Sequence, residues 1–165
     1  MDDDRPQAEP LESREPSLED LVALCSNLNA RGAHYMVIGG FAMRAAGYDR
    51  RTMDVDLLIE ATPENEASVI AAVSELPDHA ARELRPGEIA EFVVVRVADE
   101  IVVDLMQSAS GFNYEAASGE ILWRQVSGVQ IPFASPALLL RMKRGSVRAK
   151  DLADVQFLEQ LEASG

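Results

Sequence analysis

The chain has 165 residues, of which 47% are apolar and 5% aromatic, and its formal net charge at pH 7 is −13. This length suffices for one domain with a hydrophobic core. The charge argues against broad, sequence-independent nucleic-acid binding, which needs a basic surface. The single cysteine, Cys25, excludes a disulfide within the chain and a cysteine zinc cluster. It falls in an apolar helical pattern, so we expect a buried structural thiol.

The N-terminal residues predict a tail rather than a folded segment. Residues 1–20 contain eight acids and two bases, a net charge of −6, and residues 1–16 include three prolines and few apolar side chains. We therefore expect a disordered or loosely attached acidic tail over residues 1–16, followed by a single domain over residues 17–165. The start of the chain lacks the pattern of a signal peptide, and no run of membrane-spanning length follows, which favours a cytoplasmic protein without membrane contact.

The domain is predicted to begin with a helix, a strand and a second helix. Ser17 is typical of a helix N-cap, and apolar residues then recur at helical spacing. An apolar strand over residues 34–38 leads through Gly39 and Gly40 into a short helix over residues 41–46. Backbone N–H groups at the start of that helix suit an anion, although a glycine pair alone equally marks a tight turn.

The next strand opens with two aspartates. Asp54 and Asp56 are two residues apart, so in a strand their side chains point to the same face. Their neighbours Met53, Val55 and Leu57 are apolar, and two carboxylates in such surroundings repel each other and lose hydration. A divalent metal between them is the simplest remedy, and magnesium prefers one or two carboxylates together with substrate phosphates.

The remaining elements are a mixture of helices and strands. Thr62 and Pro63 have the chemistry of a helix start, and Pro77 would end that helix. Residues 80–90 are ambiguous, with a short strand around Arg82 and Leu84 as one interpretation. A hairpin is predicted with strands over residues 92–97 and 101–106, and two further short strands over residues 121–126 and 129–133. Two helices follow, one from Ser135 onward and one over residues 148–161.

Asp104 is an acid within the otherwise apolar strand over residues 101–106. Aspartate is rarely buried without a partner, so its side chain either belongs to a site or bonds to the backbone at a strand end. Trp123, the one tryptophan, is expected in the core or at an interface rather than as a platform for base stacking.

Half of the ten residues from 141 to 150 are basic, namely Arg141, Lys143, Arg144, Arg148 and Lys150. In so acidic a chain this cluster would attract a triphosphate or an RNA end, unless its side chains are simply solvated charges of a helix. In the last helix, Lys150, Asp151 and Asp154 lie along one side at helical spacing.

Taken together, these motifs resemble the nucleotidyltransferase superfamily with its polymerase-beta-like fold. The resemblance rests on the glycine pair, the Asp54-x-Asp56 strand, the later strand acid Asp104 and the Lys150-Asp151-x-x-Asp154 helix. The form of these motifs looks most like the stand-alone bacterial branch related to AbiEii-type toxins and small antibiotic nucleotidyltransferases. The resemblance implies an α/β or α+β fold, in which helices cover one face of a small mixed β-sheet.

The resemblance also implies roles for the acids. Asp54, Asp56 and Asp104 would be the catalytic acids and would hold two Mg²⁺ ions. Asp104 would also be the general base that takes the proton from the acceptor, or a metal ligand beside that base. Gly39 and Gly40 would bind the triphosphate through their N–H groups. The second glycine departs from the Gly-Ser of many active members, so a serine hydroxyl is missing.

Four further residues are candidates for nucleotide binding. Lys143 and Lys150 would lie against the phosphates, Arg51 could meet a phosphate, and Thr52 could orient the loop through its hydroxyl. Arg51 could equally be a surface residue or a structural partner of an acid. Asp151 and Asp154 could act by orienting the basic groups.

We therefore expect a metal-dependent nucleotidyltransferase that moves a nucleoside monophosphate from a nucleoside triphosphate to an antibiotic, a protein or a tRNA end. The alternative is a weakly catalytic or non-catalytic nucleotide-binding component of a toxin–antitoxin pair, acting with a partner protein or as a homodimer. A phosphatase-like metal hydrolase is a third hypothesis, but it leaves the placement of the glycine pair unexplained.

Overall fold

The computed structural model describes residues 12–145 and 148–164. These residues form six helices and eight strands. In order they are α1 (Leu18–Ala30), β1 (Tyr35–Ile38), α2 (Gly39–Ala45), β2 (Val55–Ile59), α3 (Pro63–Val73), β3 (Val95–Ala98), β4 (Val102–Met106), β5 (Ser108–Ala109), β6 (Phe112–Asn113), α4 (Tyr114–Ala117), β7 (Ile121–Val126), β8 (Val129–Ala134), α5 (Pro136–Lys143) and α6 (Ala149–Ser164). Short 3₁₀ turns occupy Ala80–Glu83, Ile89–Glu91 and Ser118–Glu120.

Six of the strands form one mixed sheet in the order β3-β4-β2-β1-β8-β7, and β5 and β6 pair separately. Strand β1 lies antiparallel to β2 and parallel to β8, while β2 lies parallel to β4. The two edges of the sheet are the hairpins β3-β4 and β7-β8. The prediction of an α/β fold, with helices that cover a small mixed β-sheet, is confirmed.

Side-chain caps begin α1, α3 and α5 at the residues that the sequence predicts. The Ser17 hydroxyl accepts a hydrogen bond from the Asp20 N–H, and the Asp20 carboxylate accepts one from the Ser17 N–H, which together make a capping box. The Thr62 and Ser135 hydroxyls accept hydrogen bonds from the N–H groups of Asn65 and Leu138 and so cap α3 and α5, each with a proline at the first helical position. These caps fix where α1, α3 and α5 begin.

The core lies at the centre of the sheet. All four residues of β1 are buried, and β2 is buried at four of its five positions. Because successive strand residues point to opposite faces, both faces are covered here, which corrects the expectation of a single covered face. Cys25 in α1 is fully buried, and burial raises the pKa of its thiol to about 12, as expected for a structural cysteine.

Hydrogen bonds to residues far away in the sequence make residues 80–94 differ from the prediction. The Asp99 carboxylate accepts hydrogen bonds from the N–H groups of Asp78 and Ala80, which fixes a 3₁₀ turn where a short strand was considered. The buried Glu66 carboxylate accepts from the N–H groups of Gly87 and Ile89 in the same way. Strand β3 consequently begins at Val95, later than the predicted residue 92.

Trp123 was expected in the core or at an interface, and the structure excludes the core. Its side chain lies on the edge strand β7 and is 57% exposed. An edge strand has a neighbour on one side only, and β7 pairs with β8 alone. The interface stays a prediction.

Residues 12–16 of the predicted tail contact the domain. The Ser13 hydroxyl donates a hydrogen bond to the Asp99 carbonyl, and Arg14 forms ion pairs with Asp20 and Glu100. Residues 1–11 of the predicted tail lie outside the described residues. None of the helices within 12–145 and 148–164 combines the length and the apolar character needed to cross a membrane.

Candidate active site

The strand register places the predicted acids in one row across the sheet. Ile38 of β1 lies opposite Asp56 of β2, Asp56 lies opposite Asp104 of β4, and Asp104 lies opposite Arg96 of β3. Side chains of directly paired residues lie on the same face of a sheet. Asp54 immediately precedes β2, so it joins this row at its end.

The row brings three carboxylates together. One oxygen from each of Asp54, Asp56 and Asp104 lies within 4.8 Å of the others. Asp104 is buried at 6% exposure, whereas Asp54 and Asp56 are half-buried. Carboxylate oxygens at this spacing are the donors that hard divalent cations such as Mg²⁺ take in proteins.

The electrostatics of these acids favour a cation between them. Burial, followed by the negative charges of Asp54 and Asp104, raises the pKa of Asp56 to about 7. Burial and the Asp104 charge also raise the pKa of Asp54, and the nearby Lys150 opposes the shift at both residues. A divalent cation would remove this repulsion, so the three residues fit a metal site.

Arg96 is a site residue that the sequence analysis missed. Its Nε donates to Asp104 Oδ1 and its Nη2 to Asp104 Oδ2, both at 2.9 Å, and Nη2 also lies 3.1 Å from Asp54 Oδ2. The Arg96 side chain is 60% exposed. The predicted hairpin could have revealed the contact, because Arg96 and Asp104 are equally far along the chain from Glu100 at its turn and therefore pair across it.

Both glycines of the pair belong to the first turn of α2, which therefore begins earlier than the predicted residue 41. Gly39 has a φ of +70°, and a Cβ there would collide with the Asp56 carboxylate. A Cβ at Gly40 would collide with the Thr52 side chain. The serine found at this second position in many superfamily members has no room here, because Thr52 already fills the space.

Thr52 and Arg51 hold the loop that precedes β2. The Thr52 side chain is buried, and its hydroxyl donates to the Asp54 carbonyl at 3.0 Å. Arg51 is 75% exposed, and its Nε lies 2.8 Å from an oxygen of Glu15. Thr52 is therefore placed to orient Asp54, and Arg51 has an acidic partner at the rim of the cleft.

Acids of α6 hold most of the predicted basic cluster. Lys143 Nζ lies 3.2 Å from Asp151 Oδ1 and 3.0 Å from Asp154 Oδ2, and Arg148 forms an ion pair with Asp151. The fully buried Asp154 also lies 3.1 Å from Nε of Arg50. Asp151 and Asp154 thus contact Lys143, one of the two lysines that they were expected to orient.

Two further basic residues of the cluster form ion pairs with Glu120 and Glu159. Arg141 forms an ion pair with Glu120, and Arg144 lies 3.6 Å from Glu159. Neither Arg141 nor Arg144 is among the residues that line the cleft. The predicted cluster therefore divides into a part that faces the acids and a part that does not.

The acids lie in a cleft with two lobes. The larger lobe, of about 540 Å³, is lined by the apolar Val93, Val94 and Met106 and by the cationic Lys143, Arg148 and Lys150. The smaller lobe, of about 250 Å³, shares those three cations and Gly39 and adds Gly40, Arg50 and Arg51. Asp54 and Asp56 line both lobes, so the carboxylates share the cleft with a cationic wall formed by Lys143, Arg148 and Lys150.

Solved structures of nucleotidyltransferases share this fold. The lincosamide antibiotic adenylyltransferase LnuA with bound lincomycin aligns over 90% of this chain and 99% of its own, with a TM-score of 0.58 and 13% identity. A Thermotoga maritima protein described as a nucleotidyltransferase aligns over 90% and 93%, with a TM-score of 0.56 and 14% identity. An antigenic nucleotidyltransferase-like protein from Paracoccidioides brasiliensis aligns over 92% and 79%, with a TM-score of 0.56 and 18% identity.

Sequence comparison identifies the family. No curated protein matches the chain in sequence. A family model described as "nucleotidyl transferase of unknown function" matches residues 17–163, which is nearly the whole chain. The match confirms the resemblance to nucleotidyltransferases that the motifs indicate. The chain belongs to this nucleotidyl transferase family, DUF2204.

Proposed function

We propose that the protein transfers a nucleoside monophosphate from a nucleoside triphosphate to a small-molecule acceptor. One observation carries the proposal: in a chain of a nucleotidyl transferase family, three carboxylate oxygens lie within 4.8 Å of one another beside a cationic wall. Carboxylates that converge beside cations suit a reaction in which a metal and a polyphosphate meet.

Asp54, Asp56 and Asp104 would hold the divalent cations, with Mg²⁺ as the expected ion and two ions in all. Bound there, such ions supply charge stabilisation to the attacking and leaving oxygens of an in-line displacement. The protein contributes the fixed spacing of the three carboxylates through the pairing of β2 with β4. Thr52 supports the same arrangement by its hydrogen bond to the Asp54 backbone.

The cationic wall would bind the triphosphate. Lys143, Arg148 and Lys150 line both lobes, and Arg50 and Arg51 extend the wall into the smaller one. Asp151 and Asp154 hold Lys143 in place, so little side-chain entropy is lost when it meets a phosphate. Gly39 and Gly40 border the same lobe, where their N–H groups would bind phosphate oxygens, as the superfamily resemblance implies.

The acceptor would enter the larger lobe. An in-line displacement places the nucleophile opposite the leaving pyrophosphate, so the acceptor needs space apart from the triphosphate. Val93 and Val94, which are 84% and 44% exposed, line the larger lobe and do not line the smaller one, so the larger lobe suits an acceptor with an apolar face. Asp104 lines this lobe, where it could accept the proton of the attacking hydroxyl.

An antibiotic is the best-supported acceptor class. The net charge of −13 disfavours a large polyanion such as tRNA. The fold is shared with an adenylyltransferase whose structure contains lincomycin, an antibiotic. A protein side chain stays a second possible acceptor, which the experiment below distinguishes.

The test is incubation of the purified protein with Mg²⁺, each of four α-labelled nucleoside triphosphates and one of three acceptor pools: antibiotics with free hydroxyls, total tRNA, and cell-extract protein. We expect label in the antibiotic fraction. The Asp54→Asn/Asp56→Asn double variant should lose the activity. A Glu19→Gln/Glu64→Gln variant, which removes two exposed acids of α1 and α3, should keep it. The absence of label from every fraction, with no binding of nucleotide, would contradict the proposal.

A further inference from the structure

Arg96 already engages the acids that a metal would need. Its guanidinium donates to both oxygens of Asp104 and to one oxygen of Asp54. Because Asp104 is buried, a cation can reach its carboxylate only from the cleft, which Arg96 also lines. A cation entering between the carboxylates would therefore meet the guanidinium as a neighbour of like charge.

We propose that Arg96 competes with the divalent cation for Asp104 and Asp54, and that once released it binds a phosphate of the nucleotide. The inference rests on the proposed function. The guanidinium competes in two ways, by its positive charge and by its hydrogen bonds to three of the carboxylate oxygens. An arginine within hydrogen-bond distance of the metal ligands repels a divalent ion across the same short distance.

The position of Arg96 allows the exchange. It lies on the edge strand β3, and its side chain is 60% exposed, so it can leave the carboxylates without disturbing the core. Water can solvate the exposed guanidinium once it leaves, and the incoming cation takes over the neutralisation of the buried Asp104, so no buried charge is left unpaired. The released guanidinium stays in the cleft that Lys150 also lines, where its planar set of donors matches a phosphate.

A purely structural role, in which Arg96 only neutralises the acids, predicts a different result. Removal of a structural counter-ion would loosen the carboxylate row and weaken metal binding. Removal of a competitor would strengthen metal binding and separately weaken nucleotide binding. The two roles are therefore separated by the direction in which the metal affinity changes.

The experiment titrates Mn²⁺ into the full chain by calorimetry, alone and with α,β-methylene-ATP, which the enzyme cannot cleave. We expect Arg96→Gln to bind Mn²⁺ alone at least about tenfold more tightly than the unaltered protein. At saturating Mn²⁺, the same variant should bind the analogue about tenfold more weakly. Arg124→Gln removes an exposed arginine from β7 at the opposite edge of the sheet and should change neither affinity.

Equal or weaker Mn²⁺ binding by Arg96→Gln would overturn the inference. If that variant does not fold, Arg96→Lys decides, because lysine keeps the charge but cannot engage both Asp104 oxygens and Asp54 at once. We then expect Mn²⁺ affinity above that of the unaltered protein, and an unchanged affinity would count against competition. An unaltered protein that binds neither Mn²⁺ nor the analogue would instead refute the proposed function.

Discussion

Asp56 connects the chemistry of the site to the stability of the fold. Burial and two neighbouring carboxylates raise its pKa from an ordinary 3.8 to about 7, so the folded protein holds a proton there more tightly than the unfolded chain does. Stability from this group is fully present below the ordinary pKa and is lost as the pH rises through about 7. The same deprotonation makes Asp56 available as a metal ligand.

This linkage predicts the behaviour of Asp56→Asn in a chelating buffer. Between pH 5 and pH 8 the unaltered protein should lose about 2 kcal/mol of unfolding free energy relative to the variant, because asparagine does not ionise. Urea unfolding at a series of pH values measures this difference. Parallel pH profiles for the two proteins would show that Asp56 titrates normally.

Gly39 is constrained in two ways, by its backbone and by its neighbour. Its φ of +70° disfavours any other residue, and a Cβ would also collide with the Asp56 carboxylate. We expect Gly39→Ala to cost about 3 kcal/mol of unfolding free energy and to weaken Mn²⁺ binding by displacing Asp56. Chemical unfolding and Mn²⁺ calorimetry measure the two effects.

Gly32 offers a matched control for the backbone part of this effect. It has a similar φ of +67° but open space around its would-be Cβ. Gly32→Ala should therefore cost only about 1 kcal/mol and leave Mn²⁺ affinity unchanged. Equal losses of stability in the two variants would mean that the contact with Asp56 contributes nothing.

Helix α6 is attached to the site through a buried acid. Asp154 forms ion pairs with Arg50, from the loop before β2, and with Lys143 at the end of α5. Asp154→Asn would leave two largely buried cations without this partner, so we expect a loss of about 3 kcal/mol in unfolding free energy. Urea unfolding of the two proteins measures it.

An exposed ion pair of the same helix provides the comparison. Glu159 lies 3.6 Å from Arg144, and both side chains are about half exposed. Glu159→Gln should change stability by less than about 0.5 kcal/mol. Similar losses in the Asp154 and Glu159 variants would refute the view that the buried pairs attach α6.

How much of the structure the sequence predicted depends on the range of the interactions. Local rules located the starts of α1, α3 and α5, because Ser17, Thr62 and Ser135 cap their helices with neighbouring residues alone. Residues 80–83 fold by bonding to Asp99, about twenty positions away, which no local pattern reveals. The prediction for residues 80–90 therefore failed because distant partners set the structure there.

The same distinction applies to the candidate site. Asp54, Asp56 and Asp104 were recognisable because acids in apolar strands need a partner, and the structure brings them together. Arg96 was missed because its partner depends on the register of the β3-β4 hairpin rather than on residue type. The role of Thr52 beside Gly40 likewise depends on a contact between two elements.

Charge is distributed unevenly over the whole molecule. Although the chain carries −13 overall, five of its 15 lysines and arginines line the smaller lobe of the cleft. The protein as a whole therefore repels extended polyanions, while the cleft attracts a compact one such as a triphosphate. This separation favours a nucleotide as the anionic ligand over a nucleic acid.

The most direct test of the account is whether nucleotide binding depends on a divalent metal. Calorimetry with α,β-methylene-ATP, with Mg²⁺ or with EDTA, measures this dependence in the unaltered protein. We predict an affinity at least about tenfold higher with Mg²⁺ than with EDTA, and loss of that gain in the Asp54→Asn/Asp56→Asn variant. Equal affinities with and without Mg²⁺ would contradict a metal site at the three aspartates.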